Sequence, residues 1–412
     1  MPPDHLVYPG WIPGVFGWIA AFLLLNRIKI AQRLQIATIA VIGAVMHYLA
    51  LARGSEIDFG RAIGINAGLI SMIAAVGFLR LVVNPGQSDE KLPVGERPFY
   101  RTMIGVWLFG SVINISAPII FADRLSQRSR LSRLASQSIV RVFTCCSGWS
   151  PFFGGMAVVL TYVPNVTLGL VILLCLPFSL LGLAVVLAES RIRFSHELSQ
   201  FRGYPVRFSS LWVPALLALV VMLLTWLAPS WSVLTHISIG ALAVSIFGLK
   251  IQKSRTELIQ ELSRHVTTHV PGMVNELSLF LVAGILASGL TSFLASDVDW
   301  IPQQEFALTQ AVLLLGAMVL LAVVGVHPVV TISGATPILL SLDPDPNLLA
   351  IVYLLAWSLG TCASPLSGTH LVFQGRYDIS NWRAAVGNWG YVAMMFVAAV
   401  PFLYWVNALF EA

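Results

Sequence analysis

The stretch TMIGVWLFGSVINISAPIIFA, residues 102–122, decides how this chain is threaded. It is 21 residues long and free of charge, and a helix needs about 20 apolar residues to cross the hydrocarbon. Basic residues crowd both of its ends. Arg80, Lys91, Arg97 and Arg101 precede it, and Arg124, Arg128, Arg130, Arg133 and Arg141 follow it. An ordinary crossing would leave these two groups on opposite sides of the membrane. That breaks the positive-inside rule in either orientation. A segment that dips in and returns as a re-entrant hairpin puts both groups in the cytoplasm. Arms of about ten residues would carry its turn, Asn114-Ile-Ser116-Ala-Pro118, about 15 Å deep, near the midplane.

The rest of the chain fits that reading. Hydrophobic residues make up 57% of it and charged residues only 10%. A soluble domain carries about 25% charge, so this chain lacks the means to cover a water-facing surface. Charge-free runs such as Val142–Ala188 and Phe306–Leu342 must form helices, because lipid satisfies no backbone groups. We expect about ten crossings, near 6–26, 34–52, 62–83, 138–162, 166–188, 211–229, 231–249, 273–296, 347–372 and 383–409. A second hairpin, within 306–342, enters from the other side. Its turn is expected in His327-Pro328-Val-Val-Thr331-Ile-Ser333-Gly334-Ala-Thr336-Pro337.

Under this topology 22 of the 24 basic residues face the cytoplasm, and only Arg53 and Arg61 lie outside. Asp4, Glu56, Asp58, Asp297, Asp299, Glu305, Asp343, Asp345 and Glu411 also lie outside, with both termini. The net charge of +5 therefore orients helices and implies no nucleic-acid partner. The start Met-Pro-Pro-Asp-His lacks the basic opening of a signal peptide, so the first helix should stay in the mature protein. The location is the cytoplasmic (inner) membrane, multi-pass.

The halves repeat. Val112-Ile-Asn-Ile-Ser116-Ala-Pro118-Ile matches Val329-Val-Thr-Ile-Ser333-Gly-Ala-Thr-Pro337-Ile, with a two-residue insertion. Ser150-Pro151-Phe-Phe-Gly154 matches Ser364-Pro365-Leu-Ser-Gly368 at an offset of 214. Each half reads as three crossings, a hairpin, an interrupted crossing and a last crossing. The first repeat is 1–205, with scaffold helices in 6–83 and the hairpin and interrupted helix in 102–188. The second is 206–412, with scaffold helices in 211–296 and the hairpin and interrupted helix in 306–409. The two halves have opposite orientation. Inverted repeats with interrupted helices point to a transporter site. Proline removes a backbone donor and glycine relaxes the dihedral limits, so Gly148, Pro151 and Gly154, and Pro365 and Gly368, should open their helices. Freed carbonyls can then coordinate a cation, and exposed half-helix N-termini can attract an anion.

On these motifs the chain resembles the ion transporter superfamily, which includes sodium-coupled dicarboxylate and citrate carriers and arsenite permeases. The resemblance spans essentially the whole chain, in architecture more than in motif. The dicarboxylate carriers place Ser-Asn-Thr at the hairpin tips. Here the tips read Asn114-Ile-Ser116 and Thr331-Ile-Ser333-Gly-Ala-Thr336. The resemblance implies an all-α, elevator-type carrier, usually a homodimer.

The expected site therefore collects Asn114, Ser116, Ser150, Thr331, Ser333, Thr336, Ser364, Ser367 and Thr369, with His327 and His370 as the nearest ionisable groups. The ordinary role of such hydroxyls is to bond the preceding turn of their own helix. For the histidines it is to satisfy a backbone carbonyl. His47 and His236 fall on scaffold helices and are read as structural. Glu276 falls near the end of its helix, within reach of the interface, and is given no site role. His265-Val-Thr-Thr-His269 has the spacing of a two-histidine metal site but lacks a zincin glutamate. It lies on the amphipathic stretch 250–270, expected along the cytoplasmic surface. Cys145, Cys146 and Cys362 lie just before the breaks, where a thiol-seeking solute such as arsenite would meet them.

The function expected is secondary active transport of a small anion, a carboxylate by resemblance, coupled to sodium. No cofactor and no metal site are implied beyond that ion. The alternatives are proton coupling through His370 and efflux of an inorganic oxyanion. An intramembrane enzyme is less favoured, because no Ser/His/Asp order, GxSxG or HExxH is present. A passive channel fits poorly with oppositely oriented breaks.

Overall fold

The computed structural model describes residues 11–28, 30–83, 92–127, 129–204, 212–296 and 306–411. Of the charges used above, Asp4, Lys29, Lys91, Arg128, Arg207, Asp297, Asp299 and Glu305 lie outside the described residues. In the first half the helices are α1 (Trp11–Leu23), α2 (Ile30–Ala52), α3 (Phe59–Gly64), α4 (Ala67–Gly77), α5 (Glu96–Ile113), α6 (Ser116–Ser126), α7 (Arg133–Cys145), α8 (Gly154–Tyr162), α9 (Leu168–Arg193) and α10 (Ser195–Ser199). In the second they are α11 (Trp212–Leu227), α12 (Val233–Gln252), α13 (Arg255–Arg264), α14 (Val270–Gly272), α15 (Val274–Leu294), α16 (Leu308–Val323), α17 (Pro328–Leu339), α18 (Pro346–Ala363), α19 (Gly368–Tyr377) and α20 (Asn381–Glu411). Among the described residues the only β pairing is an isolated bridge between Val94 and Arg202.

This is the architecture of a helical membrane protein. Seven helical stretches among the described residues are long and apolar enough to cross a bilayer. Two further expected crossings, α1 and α11, are shorter in their described parts. The apolar surface is turned outward at the periphery: α2 is only 17% buried along its apolar window, whereas the window containing α18 is 100% buried. A soluble bundle would present charge where α2 presents Leu34, Val41, Val45 and Tyr48 to the outside. Helix α18 forms the centre, packed on α7, α16 and α20.

The deciding stretch folds back on itself. Helix α5 stops at Asn114, whose φ of 52° no helix can continue through, and α6 starts two residues later. Phe109 and Phe121 bring their rings to 6.3 Å across this turn. In one straight helix those twelve residues would lie about 18 Å apart. The far ends of both arms meet the same residue. The backbone N–H of Tyr204 donates to Thr102 Oγ1 at 2.8 Å, and its ring packs on Phe121 at 5.0 Å. Residues 102 and 122 therefore begin and end on one face of the bundle.

The second hairpin differs from expectation. Its turn lies at 324–327, where Gly325 takes φ 101°, and not in the Ser/Thr-rich run. Pro328 occupies the first helical position, where its fixed φ suits a start and its missing N–H costs nothing. Thr331, Ser333 and Thr336 therefore fall inside α17. Arms α5 and α16 start 212 residues apart, as do α6 and α17, so the motif match at 112 and 329 is out of step with the helices.

Candidate functional site

A cavity of about 70 Å³ lies where the first hairpin turn, both helix breaks, the second hairpin turn and the start of α15 meet. By that measure a water needs about 10–15 Å³, so the cavity admits a small solute of a few atoms and excludes a large one. Asn114 and Ser116 line it from the first turn, Gly154 from the start of α8, His327 from the second turn, and Ser367, Gly368 and Thr369 from the start of α19.

The second break explains how α19 is aimed. Pro365 pushes the residue before it out of the helical region, and Ser364 is extended at φ −79°, ψ 124°. Ser367 then caps the new helix by accepting from the N–H of His370 at 3.4 Å. The N-terminal turn of α19, with its positive partial charge, opens on the cavity.

Glu276, in the first turn of α15, lines the same cavity. Its carboxylate lies so close to Gly368 that a methyl group added there would overlap Oε1. No hydrogen bond or ion pair to it exists among the described residues. Sequence reasoning passed over this residue as interfacial. The one signal available was an acid within a turn of a charge-free run, and only the packing of α15 on the second half's hairpin turns it inward. Glu276, given no site role in the sequence, therefore lines the cavity with the expected residues.

The carbonyls freed by the second break each already have a side-chain partner. Cys362 O accepts from Asn388 Nδ2 at 3.4 Å, Ala363 O from Trp389 Nε1 at 3.1 Å, and Pro365 O from Asn381 Nδ2 at 3.0 Å. Ser364 O pairs with His370 Nδ1 at 2.8 Å. Break and last helix satisfy each other, as buried backbone must.

The remaining candidates divide by role. His370 is fully buried and committed to Ser364, Ser367 and Asn388, and it does not line the cavity. His327 accepts from the N–H of Val329 through Nδ1, and its ring packs edge-on against Trp357 at 5.2 Å. Thr331, Ser333 and Thr336 bond the preceding turn of their own helix, at 2.7–3.1 Å. Thr336 also meets Tyr353 Oη at 3.0 Å. Ser150 ties the first break to Ser111 O, and Ser364 Oγ accepts from the N–H of Leu366. Cys145, Cys146 and Cys362 are buried away from the cavity.

At the edge of the cavity, His265 to His269 form one π-helical turn, a distortion frequent near functional sites. Arg80 Nη1 approaches His269 Nδ1 at 2.5 Å, and the two imidazole rings lie 4.8 Å apart, tilted by 42°. Burial, then the Arg80 charge, lowers both histidines to about 4. They are neutral at pH 7.

No family model matches the chain, and no curated protein matches it.

Proposed function

We propose that this chain is a secondary active transporter that moves a small anion, a carboxylate by resemblance, across the cytoplasmic membrane, and that Glu276 couples the movement to a cation. The observation that carries the reading is the Glu276 carboxylate lying against the N-terminus of the half-helix α19, inside a cavity built from both hairpins and both breaks. A half-helix N-terminus is a natural seat for an anion. In this conformation a protein carboxylate lies beside it without taking its N–H groups. Two like charges about 4 Å apart at an effective dielectric near 20 repel by about 4 kcal/mol, roughly a thousandfold in affinity. A substrate anion therefore binds well only when a cation neutralises Glu276, and that condition is symport.

Sodium is the first reading, because Asn114, Thr361, Ser367 and Thr369 bring hard side-chain oxygens to the same cavity. The second reading is a proton. The lack of any partner on Glu276 favours it, since a proton is the simplest neutralisation of an isolated buried acid. Proton coupling through His370 is set aside, because both its ring nitrogens are engaged. A thiol-directed oxyanion route is disfavoured because none of the cysteines lines the cavity.

The inverted repeat of 1–205 and 206–412 is supported by paired contacts: α5 with α7 and α16 with α18, α7 with α9 and α18 with α20, α8 with α17 and α19 with α6. Two hydrogen bonds join residues 214 apart, Asn66 Nδ2 to Phe280 O at 2.5 Å and Ser358 Oγ to Thr144 O at 2.8 Å. Equivalent residues of two copies meet only on the axis relating them, and 214 is also the spacing of the Ser-Pro motifs. Re-entrant hairpins, elevator movement of the hairpin-and-break units, a homodimer and external termini complete the proposal.

The test is uptake by proteoliposomes of a panel of small carboxylates and oxyanions, with sodium and pH gradients imposed separately. Uptake of a small anion driven by a sodium gradient is expected. Uptake that needs no sodium and follows the pH gradient selects the proton. A panel that moves under neither gradient rejects the carrier.

A further inference from the structure

A second, larger cavity lies on one face of the bundle, where the start of α7, the end of α9 and the start of α20 meet. Its volume is about 980 Å³. Four arginines line it, Arg133, Arg141, Arg193 and Arg383, against one acid, Glu189. Arg141 is buried and engaged through all three guanidinium nitrogens. It donates to Glu189 at 2.6 Å, Asn388 at 2.9 Å and Gly387 O at 2.8 Å. Arg193 takes the other Glu189 oxygen at 3.0 Å. Glu189 is thereby spent. The guanidinium groups of Arg133 and Arg383 have no hydrogen bond or ion pair among the described residues, and both side chains are exposed.

Two neighbours indicate what they await. Helices α9 and α20 are long and apolar enough to cross the membrane, so a cavity at their ends lies at headgroup depth. Its rim is apolar and outward-facing: Trp382 and Val386 line it with 53% and 41% of their surface exposed, and Ile192, beside Arg193, is 80% exposed. A cationic pocket continuous with an apolar wall suits a ligand with an anionic head and acyl tails. Tryptophan at that depth is itself an interfacial anchor.

We propose that this cavity binds the headgroup of an anionic phospholipid, with Arg133 and Arg383 on its phosphates and Trp382 against its glycerol and upper chain. The net charge of three arginines in excess favours a headgroup with two phosphates. Because α7 and α9 belong to one half of the chain and α20 to the other, the lipid would bridge the halves. The proposal does not depend on the transport reading.

The test uses the full-length protein in detergent–phosphatidylcholine micelles, titrated with cardiolipin, phosphatidylglycerol or inorganic phosphate and followed by thermal shift. Cardiolipin should stabilise the protein most and inorganic phosphate not at all. The R133Q/R383Q variant changes only exposed side chains. It should melt like wild type in phosphatidylcholine but bind cardiolipin about thirtyfold more weakly, from about 1 kcal/mol for each of the two surface cations removed. In parallel, brominated phosphatidylglycerol should quench the wild-type protein more than Trp382→Phe, which reads contact without Arg133 or Arg383 being altered. Wild-type affinity in the double variant, or equal quenching, overturns the proposal. Stabilisation by inorganic phosphate equal to that by lipid overturns the lipid assignment in favour of a soluble phosphate.

Discussion

The two helix breaks begin their second pieces 214 residues apart, at Gly154 and Gly368, yet they present opposite chemistry. At the first, α8 starts against the Trp357 indole, and a Cβ on Gly155 would come within 2.9 Å of that ring. No side chain caps this start. At the second, Ser367 caps α19 and the Glu276 carboxylate lies on Gly368. The same backbone device is spent on packing in one half and on charge in the other. A pair of similar breaks need not make a pair of similar sites. One can be the wall against which the other works.

Matched substitutions sharpen this contrast. Gly368→Ala displaces the Glu276 carboxylate, the end of a flexible side chain, so the fold should survive while coupled uptake falls about a hundredfold or more. Gly154→Ala makes only ordinary van der Waals contacts, with Trp357 at 3.5 Å and Ile73 at 3.7 Å, and should stay within about threefold of wild type. Equal losses per folded molecule would erase the distinction.

Asn388 holds Cys362 O, His370 and Arg141 together at the second break. Asn388→Ala strands those buried groups and should cost about 2–3 kcal/mol, against about 1 kcal/mol for Ser150→Ala at the first break. Unfolding of both variants in the same detergent compares them.

The pH dependence follows from His265 and His269. Their folded values lie near 4, below the ordinary 6.5, so the unfolded chain binds protons first as pH falls. Stability is full above about 6.5 and is lost progressively as pH drops toward about 4. Replacing both histidines by asparagine should flatten the melting temperature across that window. An unchanged slope would assign the dependence elsewhere.

The smallest effect belongs to the clamp between α6 and α19. Arg376 pairs with both oxygens of Asp123 at 2.6 and 2.7 Å, but both side chains are partly exposed. Asp123→Asn should cost at most about 1 kcal/mol in thermal unfolding.

The first hairpin was legible because charge on both flanks forbids a crossing, and charge survives in sequence without coordinates. The breaks were legible because proline acts locally. The second turn was misread, since Thr331, Ser333 and Thr336 look like turn residues until Pro328 is seen to open a helix beneath them. His370 seemed available because its partners, Ser364 O and Asn388, come from a break and a later helix that no spacing rule joins. Glu276 was missed for the same reason: α15 supplies the acid and α19 the dipole, 92 residues apart.

The most direct test compares wild type with Glu276→Gln in proteoliposomes, measuring substrate exchange without a gradient and accumulation under a sodium or a proton gradient. Glutamine keeps the shape and removes the charge. The account predicts that exchange persists in the variant, because the anion no longer needs a partner, while accumulation against a gradient disappears. A variant that still accumulates substrate under the same cation gradient as wild type would contradict it.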